Sequence, residues 1–364
     1  MKTMRRFSIF AILCAILFST TACEDGSGGS GGNGGTSPKV LTSVAEVAAY
    51  LATASGGSSV TNPVAIACNF NLGTMTEATS GWQQLVGILD SAGKYVSLEL
   101  SRCTMTGTEF NAGNSYVVSL VLPDMAREIY SNSFNNLVTC SGANVTTVGD
   151  YAFNKREYLQ NASFPAVQSI GEGAFEYCTA LQSISFPAAA NVQMWAFGRC
   201  PSLVLFNLIG SGSLSVIEGG KALVRNTELL AYPTASGTIT LEVITIIGGG
   251  AFGGCTTLQS ASFPAVTSIV GITAFGGCTA LHSLNIPAVT FIGDSTFNKS
   301  GNIALTITMG NTAPTLGREF FIDNFGSKHI TIRVPAAALA SYDTDWQTAF
   351  TDGNTDITLS FVTY

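Results

Sequence analysis

One fifteen-residue phrase occurs twice in this sequence, as AFEYCTALQSISFPA at 174–188 and AFGGCTALHSLNIPA at 274–288. Its phenylalanine recurs about every 22 residues, with one long interval of 55. A single unit of this length cannot bury its own apolar side chains, whereas stacked copies can. The period therefore predicts a solenoid whose core contains Phe134, Phe153, Phe175, Phe197, Phe252, Phe275 and Phe297.

Each repeat contains two apolar patterns. Leu181, Ile184 and Phe186 alternate in the way that predicts a short strand with one buried face, and Val167 and Ile170 form a second apolar pair before the next Ala-Phe. The predicted fold is a β-rich, parallel-stranded solenoid with a period of about 22 residues.

The same alternation predicts which residues face outward from the strands. These positions carry small polar side chains with almost no charge, which favours either extended contact with a large partner or simply solubility and close strand packing. The candidate contact residues are Ser163, Ser183, Ser185, Ser260, Ser262, Ser283 and Asn285.

Four cysteines stand three residues after a repeat phenylalanine, at Cys178, Cys200, Cys255 and Cys278. Parallel stacking makes the dihedral angle of a disulfide hard to reach, so we expect buried free thiols that pack as small apolar side chains. In the N-terminal region, Cys68 and Cys103 are either free or paired with each other.

The long interval contains two apolar runs, 221–224 and 229–232, around a polar turn. This pattern predicts a β-hairpin in an extended repeat at about 207–243. The hairpin is either a connector folded back on the solenoid or a protruding element that touches a partner.

The phrase AFxxCTALxSIxFPAVxSIGxxAF, over about residues 95–335, resembles the BspA-like leucine-rich repeat (LRR_5 type) of bacterial surface proteins. The segment ITIRVPAAALASYDTDWQTAF is similar to the closing repeat and helix of that family. The resemblance implies a leucine-rich-repeat solenoid at 116–334, a C-terminal cap with a helix at 335–364, and an adhesive role.

The N-terminal part divides into three predicted segments. Residues 1–22 have the basic start, apolar run and small residues of a signal peptide, and the following Cys23 resembles a lipobox cysteine; an ordinary cleaved signal is the alternative. Residues 23–38 form a Gly/Ser-rich tether. Residues 39–115 combine helical and strand patterns and predict a small α/β cap that leads into the first repeat.

Composition and motifs exclude several functions. With 16 Lys and Arg against 23 Asp and Glu, and a net charge of −7, no basic patch for nucleic acid is expected. Two histidines leave few ways to build a catalytic triad or a zinc site. The DGNTD segment at 352–356 is not followed by the glycine and the distal glutamate of a calcium loop, so it favours a solvated turn. We expect no enzyme activity, metal or cofactor.

The sequence thus predicts an exported protein, lipid-anchored to the outer membrane and displayed at the cell surface. Its expected partner is an extracellular protein or glycoprotein, it touches the membrane only through its lipid, and we expect a monomer. The alternative is a glycan-binding or carbohydrate-processing accessory lipoprotein. Trp195 would then be an aromatic contact, unless it only shields a turn.

Overall fold

The fold starts with two strand–helix–strand crossovers that make the N-terminal cap. The structure, a computed structural model, describes residues 39–130, 133–208, 213–300, 304–319, 321, 328–351 and 356–364. Ser43 and Ser80 cap the helices by accepting hydrogen bonds from backbone N–H groups, and left-handed Gly93 ends the second. The elements are β1 (Val40–Leu41), α1 (Val44–Thr53), β2 (Val64–Cys68), α2 (Gly81–Ala92) and β3 (Val96–Glu99).

The cap strands pair in parallel with each other and with the first repeats, so the cap and the repeats share one sheet. Each turn of the solenoid then has a longer strand on one side and a two-residue strand on the other. These strands are β4 (Glu109–Phe110), β5 (Val117–Val121), β6 (Glu128–Ile129), β7 (Thr139–Ser141), β8 (Thr147–Val148), β9 (Asn161–Ser163), β10 (Ser169–Ile170), β11 (Ser183–Ser185), β12 (Asn191–Val192) and β13 (Leu205–Asn207).

The long interval folds into three antiparallel strands: β14 (Leu214–Ile217), β15 (Ala222–Arg225) and β16 (Glu228–Ala231). Left-handed Asn226 lies in the tight turn between the last two, and β16 then pairs in parallel with the next short strand. Side chains from Ala222 to Val224 and from Leu229 to Tyr232 are buried. These two strands are therefore part of the core and do not protrude, because their apolar side chains fill the space between the two halves of the solenoid.

The second half repeats the same alternation of longer and shorter strands. The strands are β17 (Gly237–Thr240), β18 (Ile246–Ile247), β19 (Leu258–Ser262), β20 (Ser268–Ile269), β21 (Ser283–Asn285), β22 (Phe291–Ile292), β23 (Ala304–Thr308), β24 (Thr315–Leu316) and β25 (Lys328–Val334). A 3-10 helix (Ala336–Ser341), α3 (Thr344–Thr351) and β26 (Ile357–Thr363) follow. The C-terminal region thus contributes a final strand as well as the predicted helix.

Four sheets result. We call β1-β2-β3-β5-β7-β9-β11-β13 the N-half sheet and β17-β19-β21-β23-β25-β26 the C-half sheet. The short strands form two further sheets on the opposite side of the solenoid. One is β12-β10-β8-β6-β4, and the other, which includes the strands of the insertion, is β14-β15-β16-β18-β20-β22-β24. The parallel-stranded solenoid of about ten turns with a period near 22 confirms the predicted fold class.

Stacked phenylalanine rings run through the core. Ring centroids lie 5.1 Å apart between Phe153 and Phe175 and 5.6 Å apart between Phe175 and Phe197, with nearly parallel planes. A second stack runs through Phe252, Phe275 and Phe297 at 5.0 and 5.8 Å, and Phe321 extends it. Phe134 stacks on Phe110 in the first repeat. All seven predicted phenylalanines are at most 2% exposed.

Candidate binding face

The longer strands point alternate side chains outward, and their register aligns these side chains in columns. In the N-half sheet, Ser183 pairs with Asn161 and Leu205, while Ser185 pairs with Ser163 and Asn207. Parallel strands are about 4.8 Å apart, so each column repeats at that distance. The N-half columns comprise Ser97, Ser119, Thr139, Asn161, Ser183 and Leu205, and beside them Glu99, Val121, Ser141, Ser163, Ser185 and Asn207.

The C-half sheet has two columns of the same kind. Ser260 and Ser283 share one column, and Ser262 and Asn285 share the other. The full columns are Thr238, Ser260, Ser283, Thr306, Thr331 and Ser360, and Thr240, Ser262, Asn285, Thr308, Arg333 and Val362. The seven candidate contact residues therefore lie on two separate sheets, three on one and four on the other, and not on one continuous face.

The column residues hydrogen-bond to each other along the solenoid. Thr139 Oγ1 donates to Ser119 Oγ at 2.7 Å, and Asn285 Nδ2 donates to Ser262 Oγ at 2.9 Å. The hydroxyls of Thr331 and Ser360 lie 3.2 Å apart. Most of these side chains are half-buried, and Glu99 and Arg333 are the charged members of the columns named above. The faces can offer hydroxyl and amide hydrogen bonds to a partner with little electrostatic selectivity.

The cysteines lie behind these faces, in the core. All seven cysteines of the described residues are buried and free, including Cys68 and Cys103. Burial raises the pKa of the Cys178 and Cys255 thiols to about 12, so neither is a nucleophile near neutral pH. The four cysteines that follow a repeat phenylalanine form a cysteine ladder, in which each thiol donates a hydrogen bond to a backbone carbonyl one turn earlier. The donor–acceptor distances are 3.1 Å from Cys178 to Phe153, 3.0 Å from Cys200 to Phe175, 3.2 Å from Cys255 to Tyr232 and 3.1 Å from Cys278 to Phe252.

Trp195 lies away from both faces, at the turn before Ala196-Phe197. Its backbone is left-handed, with φ 65°, and its half-buried side chain packs on Gly249 and Gly250 of the next turn. A β-carbon at Gly249 would lie 2.5 Å from the indole Nε1, so this packing needs glycine. The Trp195 side chain therefore packs over the neighbouring turn and shields its backbone from solvent.

A cleft of about 400 Å³ lies on the short-strand side, between Tyr130, Asp150, Glu172 and Gln193. Asp150 Oδ1 accepts the Glu172 N–H at 2.8 Å, and Glu172 Oε1 accepts the Tyr151 hydroxyl at 2.7 Å. The Glu172 hydrogen bond raises the pKa of Tyr151 to about 12. Sequence analysis missed this cleft because its lining comes from turns and short strands on four repeats.

Two further features concern metal ligands and the N-terminal segment. Among the described residues, no group of three or more His, Cys, Asp or Glu side chains is arranged to hold a metal ion. The signal segment, Cys23, the tether and most of the 352–356 segment lie outside the described residues, and no described helix is long and apolar enough to cross a bilayer.

The repeat that builds both faces matches a known family. Residues 107–218 and 234–342 match the BspA-type leucine-rich repeat region in six copies. The chain belongs to the BspA-type leucine-rich-repeat family. The gap between the two matched stretches falls in the insertion, where the BspA-type repeat is interrupted by the antiparallel strands.

Solved structures of similar proteins are distant in sequence. A leucine-rich-repeat protein from Eubacterium ventriosum is 16% identical, with a TM-score of 0.47, over 81% of this chain and 78% of the other. A leucine-rich cell surface protein from Faecalibacterium prausnitzii is 17% identical, with a TM-score of 0.36, over 70% and 88%. No curated protein matches the sequence. The family assignment rests on the repeat match.

Proposed function

We propose that this BspA-type protein is lipid-anchored to the outer membrane and displayed at the cell surface, where it binds an extracellular protein or glycoprotein. Leucine-rich-repeat proteins are generally binding proteins rather than enzymes, which supports the choice of class. The observation that carries the binding proposal is the pair of in-register columns on each of the longer-strand sheets, which consist mostly of uncharged polar side chains.

The columns suit weak contact repeated along a large partner. Desolvating a neutral hydroxyl costs far less than desolvating an ion, and each turn adds a further contact at the same spacing. The alternative is that Ser, Thr and Asn serve only solubility and strand packing, as the hydrogen bonds along the columns would allow.

A charge scan distinguishes these alternatives. Ser185→Arg with Ser262→Arg places one cation on each face, and Ser268→Arg with Thr315→Arg is the control on the short-strand side, away from the cleft. We expect the first pair to weaken cell adhesion to host-matrix proteins and the control to leave adhesion unchanged, with both variants folded. Equal adhesion by both variants would refute the contact-face proposal. Deleting the insertion is not a usable test, because its strands are part of the core.

The anchor and the surface location have their own experiment. Cys23→Ser should release the protein from the membrane fraction if Cys23 carries the lipid. Protease added to intact cells should digest the wild-type protein if it faces outward. Protection on intact cells with digestion after lysis would contradict surface display.

The cleft favours a second candidate function, a glycan-binding accessory protein. Its lining includes Tyr130, a residue type that stacks on sugar rings, and the carboxylates of Asp150 and Glu172, which can accept hydrogen bonds from sugar hydroxyls. Glycan-array binding that Tyr130→Ala abolishes and Trp195→Ala leaves unchanged would support this alternative over the sheet-face proposal.

A further inference from the structure

Strand β26 forms an open edge at the C-terminal end of the C-half sheet. It pairs on one side with β25, and among the described residues no strand lies on its other side. Its seven residues, ITLSFVT, include no charge, proline or glycine. Natural sheets usually protect a long edge with lysine, proline or a bulge, and an edge without such protection is a template for another strand.

The hydrogen-bond register shows which backbone groups the edge offers. The Lys328 N–H donates to the Asp356 carbonyl at 2.9 Å, and the Tyr364 N–H donates to the Val334 carbonyl at 3.1 Å. In a parallel pair, alternate residues direct their polar groups to the same neighbour. Thr358, Ser360 and Val362 therefore face β25, and the N–H and C=O groups of Ile357, Leu359, Phe361 and Thr363 face the open edge.

We propose that β26 pairs antiparallel with β26 of a second copy of this chain, about a two-fold axis at Ser360. In this register, Ile357 lies opposite Thr363 of the second copy, and Leu359 lies opposite Phe361 of the second copy. Every open-edge N–H and C=O group is then hydrogen-bonded. A shift of two residues leaves an open-edge residue of each copy unpaired.

The side chains also fit this symmetric arrangement. Leu359 and Phe361 lie on the core side but are only half-buried, with Phe361 6.2 Å from the Tyr342 ring. In the dimer, Leu359 of one copy packs against Phe361 of the other, and an aromatic side chain opposite an aliphatic one is a favourable cross-strand pair. On the outer side Ser360 meets Ser360, and since the strand is uncharged, no like charges are opposed.

The opposite end of the solenoid is a poorer match for β26. Its edge strand β1 spans only Val40–Leu41, too short to cover the length of β26 in a head-to-tail assembly. A two-fold pair of β26 strands closes on itself, as an isologous interface does. The dimer differs from the monomer expected from sequence. It joins the two C-half sheets, so the column that ends at Ser360 continues into the same column of the second copy and is twice as long for an extended partner.

Cross-linking of the full chain tests the register. Ser360 occupies a non-hydrogen-bonded antiparallel pair, where α-carbons lie about 4.5 Å apart and a disulfide can form. Under oxidation, we expect Ser360→Cys to give a disulfide-linked dimer. Thr358→Cys and Thr306→Cys, the latter on interior strand β23, should remain monomeric. A dimer at Thr358→Cys in equal yield, or none at Ser360→Cys in a folded protein, would overturn the proposal.

Charge substitution provides a test without a cross-link. Ser360→Lys and Ser360→Glu each place like charges opposite one another at the axis, so each variant alone should be monomeric from about 1 to 100 µM by sedimentation. An equimolar mixture should restore a dimer, and Thr306→Lys should sediment like the wild type. A monomeric wild type across that range, with no dimer in the mixture, would refute the pairing.

Discussion

At the residue scale, the cysteine ladder shows what a sequence pattern can and cannot give. The spacing from each phenylalanine is enough to predict buried free thiols, because stacked turns superimpose equivalent positions. The hydrogen bond from each thiol to a carbonyl one turn earlier depends on the backbone geometry of two turns. At the equivalent position, Ser300 Oγ donates to the Phe297 carbonyl of its own turn at 2.6 Å.

Substitutions at Cys178 separate packing from hydrogen bonding. Because serine keeps a donor and alanine does not, we expect Cys178→Ser to be more stable than Cys178→Ala by about 1 kcal/mol. Urea unfolding followed by circular dichroism measures the difference. If the alanine variant is as stable as the serine variant, the thiol contributes only as a small apolar group.

At the element scale, the sequence predicts the repeating turn but not its backbone. From Phe153 to Phe297, the positions two residues before and after each repeat phenylalanine are left-handed, as at Gly173 and Tyr177 around Phe175. Glycines at several of these positions indicate a left-handed backbone from the sequence. Tyr151, Trp195 and Arg199 adopt the same conformation, however, so the sequence alone does not show that it recurs in every turn. The strain is tolerated because stacked neighbours fix the backbone of each turn.

The phenylalanine stack gives a stability prediction. Phe175 is fully buried between Phe153 and Phe197, so Phe175→Ala should leave a cavity and cost about 3–5 kcal/mol. Tyr158→Ala is the control, since Tyr158 is 59% exposed. Thermal melting of the two variants makes the comparison, and a near-wild-type melting temperature for Phe175→Ala would show that this ring is not essential to the stack.

At the scale of the whole molecule, the insertion divides the core into two clusters. On β15, Leu223 packs in the N-terminal cluster and its neighbour Val224 in the C-terminal cluster, because adjacent side chains of a strand point in opposite directions. The two apolar runs predict the hairpin. They do not predict its position between the halves, because that depends on pairing with β18, which is distant in sequence from the turn signals.

The division predicts that neighbouring substitutions destabilise different halves. Leu223→Ala should reduce amide protection mainly in residues 39–208, and Val224→Ala mainly in residues 237–351, with a cost of about 2–5 kcal/mol for the leucine. Hydrogen exchange with peptide resolution distinguishes the halves. Equal loss throughout the chain in both variants would mean that the solenoid opens as one cooperative unit.

The most direct test of the binding proposal is site-specific photo-cross-linking on living cells. A photoreactive amino acid replaces Ser262 on the C-half sheet or, as the matched control, Ser268 on the short-strand side of the same turn. If the polar columns are the contact surface, cells exposed to host-matrix proteins should yield a covalent adduct from position 262 and none from position 268. An adduct from 268 alone, or equal yields from both positions, would contradict the account.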